Sequence, residues 1–525
     1  MDQNVNLKQV VLSLKKDKKA AAVTEDILWY AVRGALNPST LINNLSEALR
    51  LSSSETENLL IEYGMGDLVM QARLKKNGSS EPSRAKDSIR ILDHKIQSPF
   101  PELFSVEFTP PLDAPLPISP EQKNAINDLV QNLLRSMDKD PFLQLYRSDV
   151  NRYLDKFSNT DAPKINQYIE ECFGKQGPRY LINCGIGANE QFNHFMAYLH
   201  NQKQDKKCRW IIINSPRQLL DLPPDVCVEN SLFMEYSRSG ITEETIKIHE
   251  YTPRSARRIV YANGGPLKKL GERDGNLVLS LPDEVSGRFG RNKTPALLAP
   301  MYVSGGEVRS FWNNIDDATQ KFDLTKRDNL PFQMAKFIYI HQTLRNINHI
   351  YLGCNDEPLL MIADELTQFW NEGVNKGAND ILMSRYLGLP RDSHTNIEGI
   401  LANYPSKMGF FLFSDDIVPE KIHPVISLEI DPINPEHKGI MFGDEEIVLA
   451  EANHQRFREL MPCIKVTLHG NLNEKHAAVV SQLWADMTFC YSRLKDIDPG
   501  SNPEVKAVRD RAARLLSEYA GKRAR

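Results

Sequence analysis

The sequence predicts an α/β protein built from two parallel-sheet units in tandem, preceded by a helical extension. Three observations carry this prediction. The chain has 525 residues, enough for at least two domains. From about residue 178, short apolar runs alternate with amphipathic helical stretches, which is typical of parallel sheets covered on both faces. The same pattern restarts after about residue 330.

The N-terminal part of the sequence has a helical pattern and contains no chemical motif. Residues 1–86 are predicted to form a helical extension. Residues 87–140 are predicted to form a proline-rich extended strap that leads into a helix near Glu121 to Met137. The helical periodicity of the extension is carried by Ile27, Leu28, Ala31, Val32 and Ala35. The sequence leaves docking, oligomerisation and scaffolding open as roles of this extension.

The two α/β units are predicted at residues 141–325 and 326–498, with a C-terminal helix at residues 499–525. Strands of the first unit are expected to begin at Tyr180, Trp210, Leu232, Arg258 and Asn276. Strands of the second are expected at His349, Gly409, Val425 and Ile464, with helices at Leu359 to Glu372 and Ala477 to Lys495. Ligands of such sheets bind beyond the carboxyl ends of the strands, so candidate site residues should follow these runs.

Composition excludes several classes of function. Apolar residues make up 41% and charged residues 25%, as in globular proteins, and 64 basic against 68 acidic side chains give a net charge of −4. We therefore expect no nucleic-acid partner.

No apolar run approaches the ~18 residues of a membrane span, and the N-terminus lacks a secretory apolar region, so a cytoplasmic location is expected. The seven cysteines contain no CxxC pair and are predicted to be reduced thiols.

Two loops at predicted strand ends offer anion-binding chemistry. The first, Cys184 to Glu190, is a glycine turn that leads into a helix, and a turn without a ligand explains it equally well. The second, Ser237 to Thr245, places three hydroxyls and a glycine at a helix start. Such a loop forms a neutral cradle for phosphate from hydroxyls and free N–H groups. The alternative is a simple helix N-cap at Thr242.

The second loop, Ser-Arg-Ser-Gly-Ile-Thr-Glu-Glu-Thr, resembles the phosphate-binding segment of sugar isomerase (SIS) domains, and more narrowly that of the phosphoglucose isomerase family. Four further segments resemble this family in the same order along the chain. The segment Glu284 to Phe289 places Arg288 on the active-site arginine, and Phe369 to Lys376 places Glu372 on the catalytic base. The segment Arg391 to Thr395 places His394 on the ring-opening histidine, and Asn502 to Arg509 places Arg509 on the ring-opening lysine. The resemblance covers roughly residues 140 to 515 and implies two SIS-type three-layer αβα domains.

The resemblance also implies a set of substrate-binding residues: Gly187, Ala188 and Asn189 of the first loop, Ser237, Arg238, Ser239 and Thr242 of the second, and Gly287, Asn502 and Lys506. The chain departs from the family pattern at several of these segments. Ala188 and Asn189 replace Gly-Ser, Ile241 replaces threonine, and Arg509 replaces lysine. Arginine cannot give up a proton near neutral pH, so Arg509 could supply charge but not acid–base chemistry.

The implied activity is interconversion of glucose 6-phosphate and fructose 6-phosphate through a cis-enediol, as in glycolysis and gluconeogenesis. No cofactor is implied, and the histidines lack metal-ligand spacing. The implied partners are a phosphorylated sugar and a second copy of the chain, with the histidine lent across a homodimer interface. Two alternatives remain: a catalytically diverged SIS protein that binds a phosphosugar for regulation or assembly, and an isomerase of another sugar phosphate.

Overall fold

Strands and helical segments alternate from Tyr180 to Leu279 and again from His349 to Leu494, as the sequence predicts. The computed structural model describes residues 98–109, 119–147, 150–187, 190–282, 287–376, 380–388, 397–401, 406–415, 444–500 and eight positions between 507 and 519. The predicted N-terminal extension lies outside the described residues. Within the described part of the chain, no helix is both long and apolar enough to cross a membrane.

The strands are, in chain order, β1 (Phe104–Thr109), β2 (Tyr180–Cys184), β3 (Arg209–Ile213), β4 (Ser231–Tyr236), β5 (Arg257–Tyr261), β6 (Leu277–Leu279), β7 (His349–Cys354), β8 (Leu382–Gly388), β9 (Lys407–Ser414) and β10 (Cys463–Leu468). The helices are α1 (Pro120–Met137), α2 (Pro141–Arg147), α3 (Val150–Lys156), α4 (Ala162–Phe173), α5 (Gln191–Gln202), α6 (Glu243–Tyr251), α7 (Gly265–Arg273), α8 (Gly287–Gly290), α9 (Pro295–Ser304), α10 (Val308–Lys321), α11 (Leu330–Arg345), α12 (Glu357–Val374), α13 (Ile397–Leu401), α14 (Asp444–Arg458) and α15 (Glu474–Leu494).

The first sheet is parallel throughout, with the strand order β3-β2-β4-β5-β6. All five strands predicted for the first unit are present in it. β2 and β4 are buried along their whole length because each lies between two neighbours and is covered by helices. In the register, Cys184 pairs with Glu235, so the turns that follow β2 and β4 leave the sheet at the same edge. The two candidate anion-binding loops are therefore neighbours.

The second sheet has the order β1-β10-β9-β7-β8 and is parallel except for β1, which runs antiparallel to β10. Predicted strands β7, β9 and β10 are present, and the strand predicted at Val425 lies outside the described residues. The sequence did not predict β1 or β8. Both are edge strands with polar residues among the apolar ones, such as Glu107 and Arg385, so neither forms a continuous apolar run. The proline-rich strap thus contributes an edge strand to the sheet.

Helix α15 lies at the centre of the helical layers and is buried along nearly its whole length. α10, α11 and α12 pack against it. A single cluster of buried apolar side chains includes Leu181 of the first sheet and Leu352 of the second. The two sheets therefore share one apolar core.

All seven cysteines are unpaired, as predicted. Five of them are buried, whereas Cys172 is half-buried and Cys227 is exposed.

Candidate active site

The hydroxyl loop after β4 has a defined hydrogen-bonded shape. The Ser237 and Thr242 hydroxyls lie 2.7 Å apart, and the Thr242 N–H donates to Ser237 Oγ at 3.3 Å. The Gly240 N–H closes the turn by donating to the Ser237 carbonyl at 2.8 Å. Thr242 occupies the N-cap position of α6, but its side chain bonds Ser237 and makes no cap hydrogen bond. Ser239 stays exposed at the tip of the loop, and Arg238 is half-buried.

The turn between β5 and α7 holds this loop in place through backbone contacts. The Leu267 N–H donates to the Gly240 carbonyl at 3.0 Å, and the Asn263 N–H donates to the Arg238 carbonyl at 2.9 Å. A Cβ atom at Gly240, which has φ +69°, would lie 1.8 Å from the Gly264 carbonyl oxygen. The structure shows that both segments need glycine because their backbones touch.

A buried ionic network lies beneath the same loop. His249 of α6 contacts Glu235 at 2.7 Å through Nδ1 and Asp274 at 3.1 Å through Nε2. The Arg258 guanidinium lies 3.3 Å from the second carboxylate oxygen of Glu235 and donates to the Pro253 carbonyl at 2.9 Å. These contacts tie α6 to β4 and β5, so the base of the hydroxyl loop is rigidly supported.

The glycine loop after β2 packs against α12. Gly187 has φ +60°, and a Cβ atom there would lie 3.0 Å from Gln368 Nε2. The first sheet thus approaches the helix that carries Glu372. Ala188 and Asn189, the two departures from the family pattern in this loop, lie outside the described residues.

Arg288 and Glu372 meet at the end of α12. Arg288 Nε donates to Glu372 Oε2 at 3.1 Å, and Nη2 lies 3.0 Å from the same oxygen. Arg288 Nη1 donates to two backbone carbonyls, those of Glu372 at 2.9 Å and Pro499 at 2.5 Å. The Arg288 side chain is 3% exposed and the Glu372 side chain is 28% exposed, so the carboxylate is the more accessible member of the pair. Burial lowers the pKa of Arg288, and the Glu372 carboxylate opposes that shift.

Two further side chains bond Glu372. Gln368 Nε2 donates to Glu372 Oε1 at 2.9 Å, so both carboxylate oxygens have a donor. Lys376 Nζ donates to the backbone carbonyl of Glu372. Burial, and then the nearby charge of Arg288, lower the pKa of Lys376 to about 8. The sequence did not predict a role for Gln368, although its position one helical turn before Glu372 indicates the same helix face.

A second polar cluster extends this face of α12 toward the glycine loop. Glu190, buried just after that loop, bonds His194 Nε2 at 2.9 Å and accepts from Asn214 Nδ2 at 2.5 Å. Two turns before Glu372, Asp364 pairs with Arg385 at 2.7 Å, and burial raises the pKa of Asp364. Sequence reasoning did not find these residues because they come from four separate segments.

The structure therefore brings Arg288 and Glu372 together and places Gly187 beside them through Gln368. Gly287 is the first residue of α8, next to Arg288. His394, Asn502, Lys506 and Arg509 lie outside the described residues. Among the residues that are described, no cluster of histidine, cysteine or acidic side chains has the arrangement of a metal site.

Comparisons with known proteins agree with this architecture. No family model matches the chain. The glucose-6-phosphate isomerase of Methanocaldococcus jannaschii is 22% identical over 327 residues, which cover 59% of this chain and 78% of that protein. The glucose-6-phosphate isomerase of Listeria monocytogenes is 28% identical over 150 residues, 26% of this chain and 31% of that one.

Solved structures share the fold. A glucose-6-phosphate isomerase from Chlamydia trachomatis superposes with a TM-score of 0.61 at 13% identity, covering 80% of this chain and 89% of that one. A hypothetical protein from Thermus thermophilus gives a TM-score of 0.58 at 17% identity, covering 75% of this chain and 95% of that one. The chain therefore shares the two-sheet α/β fold of these structures. Its sequence is similar to that of glucose-6-phosphate isomerases.

Proposed function

We propose that this chain is an aldose–ketose isomerase that interconverts glucose 6-phosphate and fructose 6-phosphate through a cis-enediol. The observation that carries the proposal is the partly exposed Glu372 carboxylate, held by a buried Arg288 guanidinium beside the Gly187 loop. Proton transfer between two adjacent carbons needs one positioned base and one fixed cation, and this pair supplies both.

In the open-chain aldose, the Glu372 carboxylate takes the proton from C2. The electron pair forms the C1=C2 double bond, and the negative charge develops on O1. Arg288 carries a permanent charge, so it stabilises this oxyanion without a proton transfer of its own. Glu372 then returns the proton to C1, while the O2 hydroxyl proton passes through water to O1, so that O1 becomes a hydroxyl and O2 the ketose carbonyl. Every atom of the substrate is conserved, so the step needs no cofactor.

The phosphate would bind at the hydroxyl loop. Ser237, Ser239 and Thr242 stand at the start of α6, where backbone N–H groups and the helix dipole favour an anion. This loop leaves the sheet at the same edge as the Gly187 loop.

His394 would assist ring opening, as the family resemblance implies. We propose a homodimer in which His394 of one subunit reaches the active site of the other. Size-exclusion chromatography with light scattering tests the dimer, and a monomer that retains activity would contradict it.

The deciding experiment is a coupled assay of fructose 6-phosphate conversion by the purified chain. Glu372→Gln should abolish turnover because an amide cannot accept the proton. Glu357→Gln is the matched control, since Glu357 is an exposed residue of the same helix and should leave turnover unchanged. No turnover by the unmodified chain above the Glu372→Gln level rejects the isomerase. Calorimetric binding of fructose 6-phosphate without turnover would instead support the regulatory alternative.

A further inference from the structure

A chain of three buried polar side chains links the segment that follows α8 to helix α12. Asn292 lies in the short helical turn Arg291–Lys293, which comes directly after α8. Its Nδ2 donates to Ser481 Oγ of α15. Ser481 Oγ in turn donates to Glu365 Oε1 of α12 at 2.7 Å. All three residues are at most 2% exposed, so the chain runs through the interior of the protein.

The hydrogen bonds of this chain are directional. The Asn292 amide N–H can only donate, so the Ser481 hydroxyl accepts from it and gives its single proton to the Glu365 carboxylate. Buried polar groups cost stability unless they are bonded, and a bonded network specifies one packing arrangement. The chain therefore defines the position of the Asn292 turn relative to both α15 and α12.

Helix α12 thus holds the segment of Arg288 at two points. Glu365 and Glu372 are two helical turns apart, so they lie on the same side of α12, about 10 Å from each other. Arg288 bonds Glu372 at one point. Asn292, four residues after Arg288, reaches Glu365 through Ser481 at the other. One ion pair leaves the guanidinium free to turn about the carboxylate, whereas a second attachment fixes its orientation.

Two other contacts hold the same segment. The rings of Phe289 and Phe369, the latter on α12, meet edge-on with their centroids 5.3 Å apart. Lys293 Nζ donates to the Tyr146 carbonyl of α2 at 2.8 Å. The ring contact is less directional than a hydrogen bond, and the lysine bond leads to α2 instead of to the helix that carries the base. The chain through Asn292 adds the directional link to α12.

We propose that Ser481 is a positioning residue, which with Asn292 and Glu365 sets the orientation in which Arg288 meets the developing oxyanion. The assignment rests on the proposed isomerase function. Ser481 is fully buried, so it acts through Arg288 and not on the substrate.

The test begins with Ser481→Ala, which removes the middle of the chain. The kcat for fructose 6-phosphate should fall by about 10-fold or more with KM within about twofold, because a misplacement of about 1 Å can cost about 100-fold in rate. Asn292→Leu, which keeps the size of the side chain and removes the donor, should show the same loss. Thermal melting measures the folded fraction of each variant at the assay temperature.

Ser492→Ala is the matched control. Ser492 is also a buried serine of α15, but its hydroxyl donates to the Phe489 carbonyl of the same helix at 2.7 Å. Its kcat should be unchanged.

A double-mutant cycle tests whether Ser481 acts through Arg288. A lysine ammonium at position 288 has no fixed plane to orient. In an Arg288→Lys background, Ser481→Ala should therefore lower kcat by less than about threefold, whereas independent effects would multiply.

The assignment is overturned if kcat is unchanged in either Ser481→Ala or Asn292→Leu, or if the loss equals the unfolded fraction at the assay temperature. A loss of the same size in the Arg288→Lys background also overturns it. Failure of the underlying function gives a different result, because the unmodified chain would then show no turnover of fructose 6-phosphate.

Discussion

Arg288 and Glu372, 84 residues apart in the chain, form an ion pair in which Nη2 lies 3.0 Å from Oε2. The first residue follows the last strand of one sheet, and the second lies on the helix after the first central strand of the other. A buried cation with two backbone acceptors has a fixed position, so it presents the carboxylate to the cleft in a single orientation.

Arg288→Lys should lower kcat for fructose 6-phosphate by about 100-fold or more, the effect of removing one oxyanion donor. A lysine offers a point charge and cannot reach the carboxylate and the Pro499 carbonyl at once. Steady-state kinetics measure the effect. Arg456→Lys is the control because Arg456 belongs to an exposed pair with Glu459, and its kcat should be unchanged. An Arg288→Lys enzyme with full activity contradicts the role of the guanidinium.

Gln368→Met removes the donor to Glu372 Oε1 and leaves a side chain of similar length. A hydrogen bond to a charged group contributes about 1.5–3 kcal/mol, so kcat should fall by roughly 10- to 100-fold with KM nearly constant. The control is Gln167→Met, since Gln167 makes the same bond to Glu171 on an exposed helix face. If kcat is retained in Gln368→Met, the bond does not position the base.

Gly240→Ala should displace the hydroxyl loop, because the added Cβ would lie 1.8 Å from the Gly264 carbonyl oxygen. We expect loss of fructose 6-phosphate binding by calorimetry and a lower melting temperature. Gly275→Ala separates this clash from backbone strain, since Gly275 has the same φ of +69° but no atom within 4 Å of the added Cβ. That control should be destabilised by only about 1–2 kcal/mol and should still bind. Equal effects of Gly240→Ala and Gly275→Ala on binding and stability would show that the close approach of Gly240 to Gly264 does not position the loop.

Lys293 makes the free energy of unfolding depend on pH. Burial lowers its pKa to about 7 in the folded chain, against about 10.4 when unfolded. Between these values the unfolded state binds more protons, so the contribution of this group to stability falls as the pH drops from about 10 to about 7. The amine donates to the Tyr146 carbonyl and lies near Asp486, Arg147 and Asp316.

Lys293→Met removes that dependence. From pH 7 to pH 9.5, urea unfolding should show the wild type gaining about 2–3 kcal/mol relative to the variant. Lys326→Met, at an exposed lysine, should show no such change with pH. A constant difference between wild type and Lys293→Met across this range would contradict a lowered pKa.

Much of the fold follows from local sequence patterns. β2, β4 and β5 are buried apolar runs bounded by turns, and such runs predict central strands of a parallel sheet. The sequence did not predict β1 and β8, because an edge strand buries only part of its surface and needs no continuous apolar run. The alternation of Phe104, Val106 and Phe108 was available as a signal for β1.

By itself, the sequence determined the order of the buried central strands, the main helices between them and the chemical identity of the candidate loops, since turn geometry and burial patterns act over a few residues. Tertiary structure alone decided which of these residues meet. The ion pair of Arg288 with Glu372, the contact of Gly240 with Gly264 and the approach of Gly187 to Gln368 depend on packing between segments that are separate in the chain. A local pattern carries no information about its distant partner, because that contact exists only after the two sheets bury their common core.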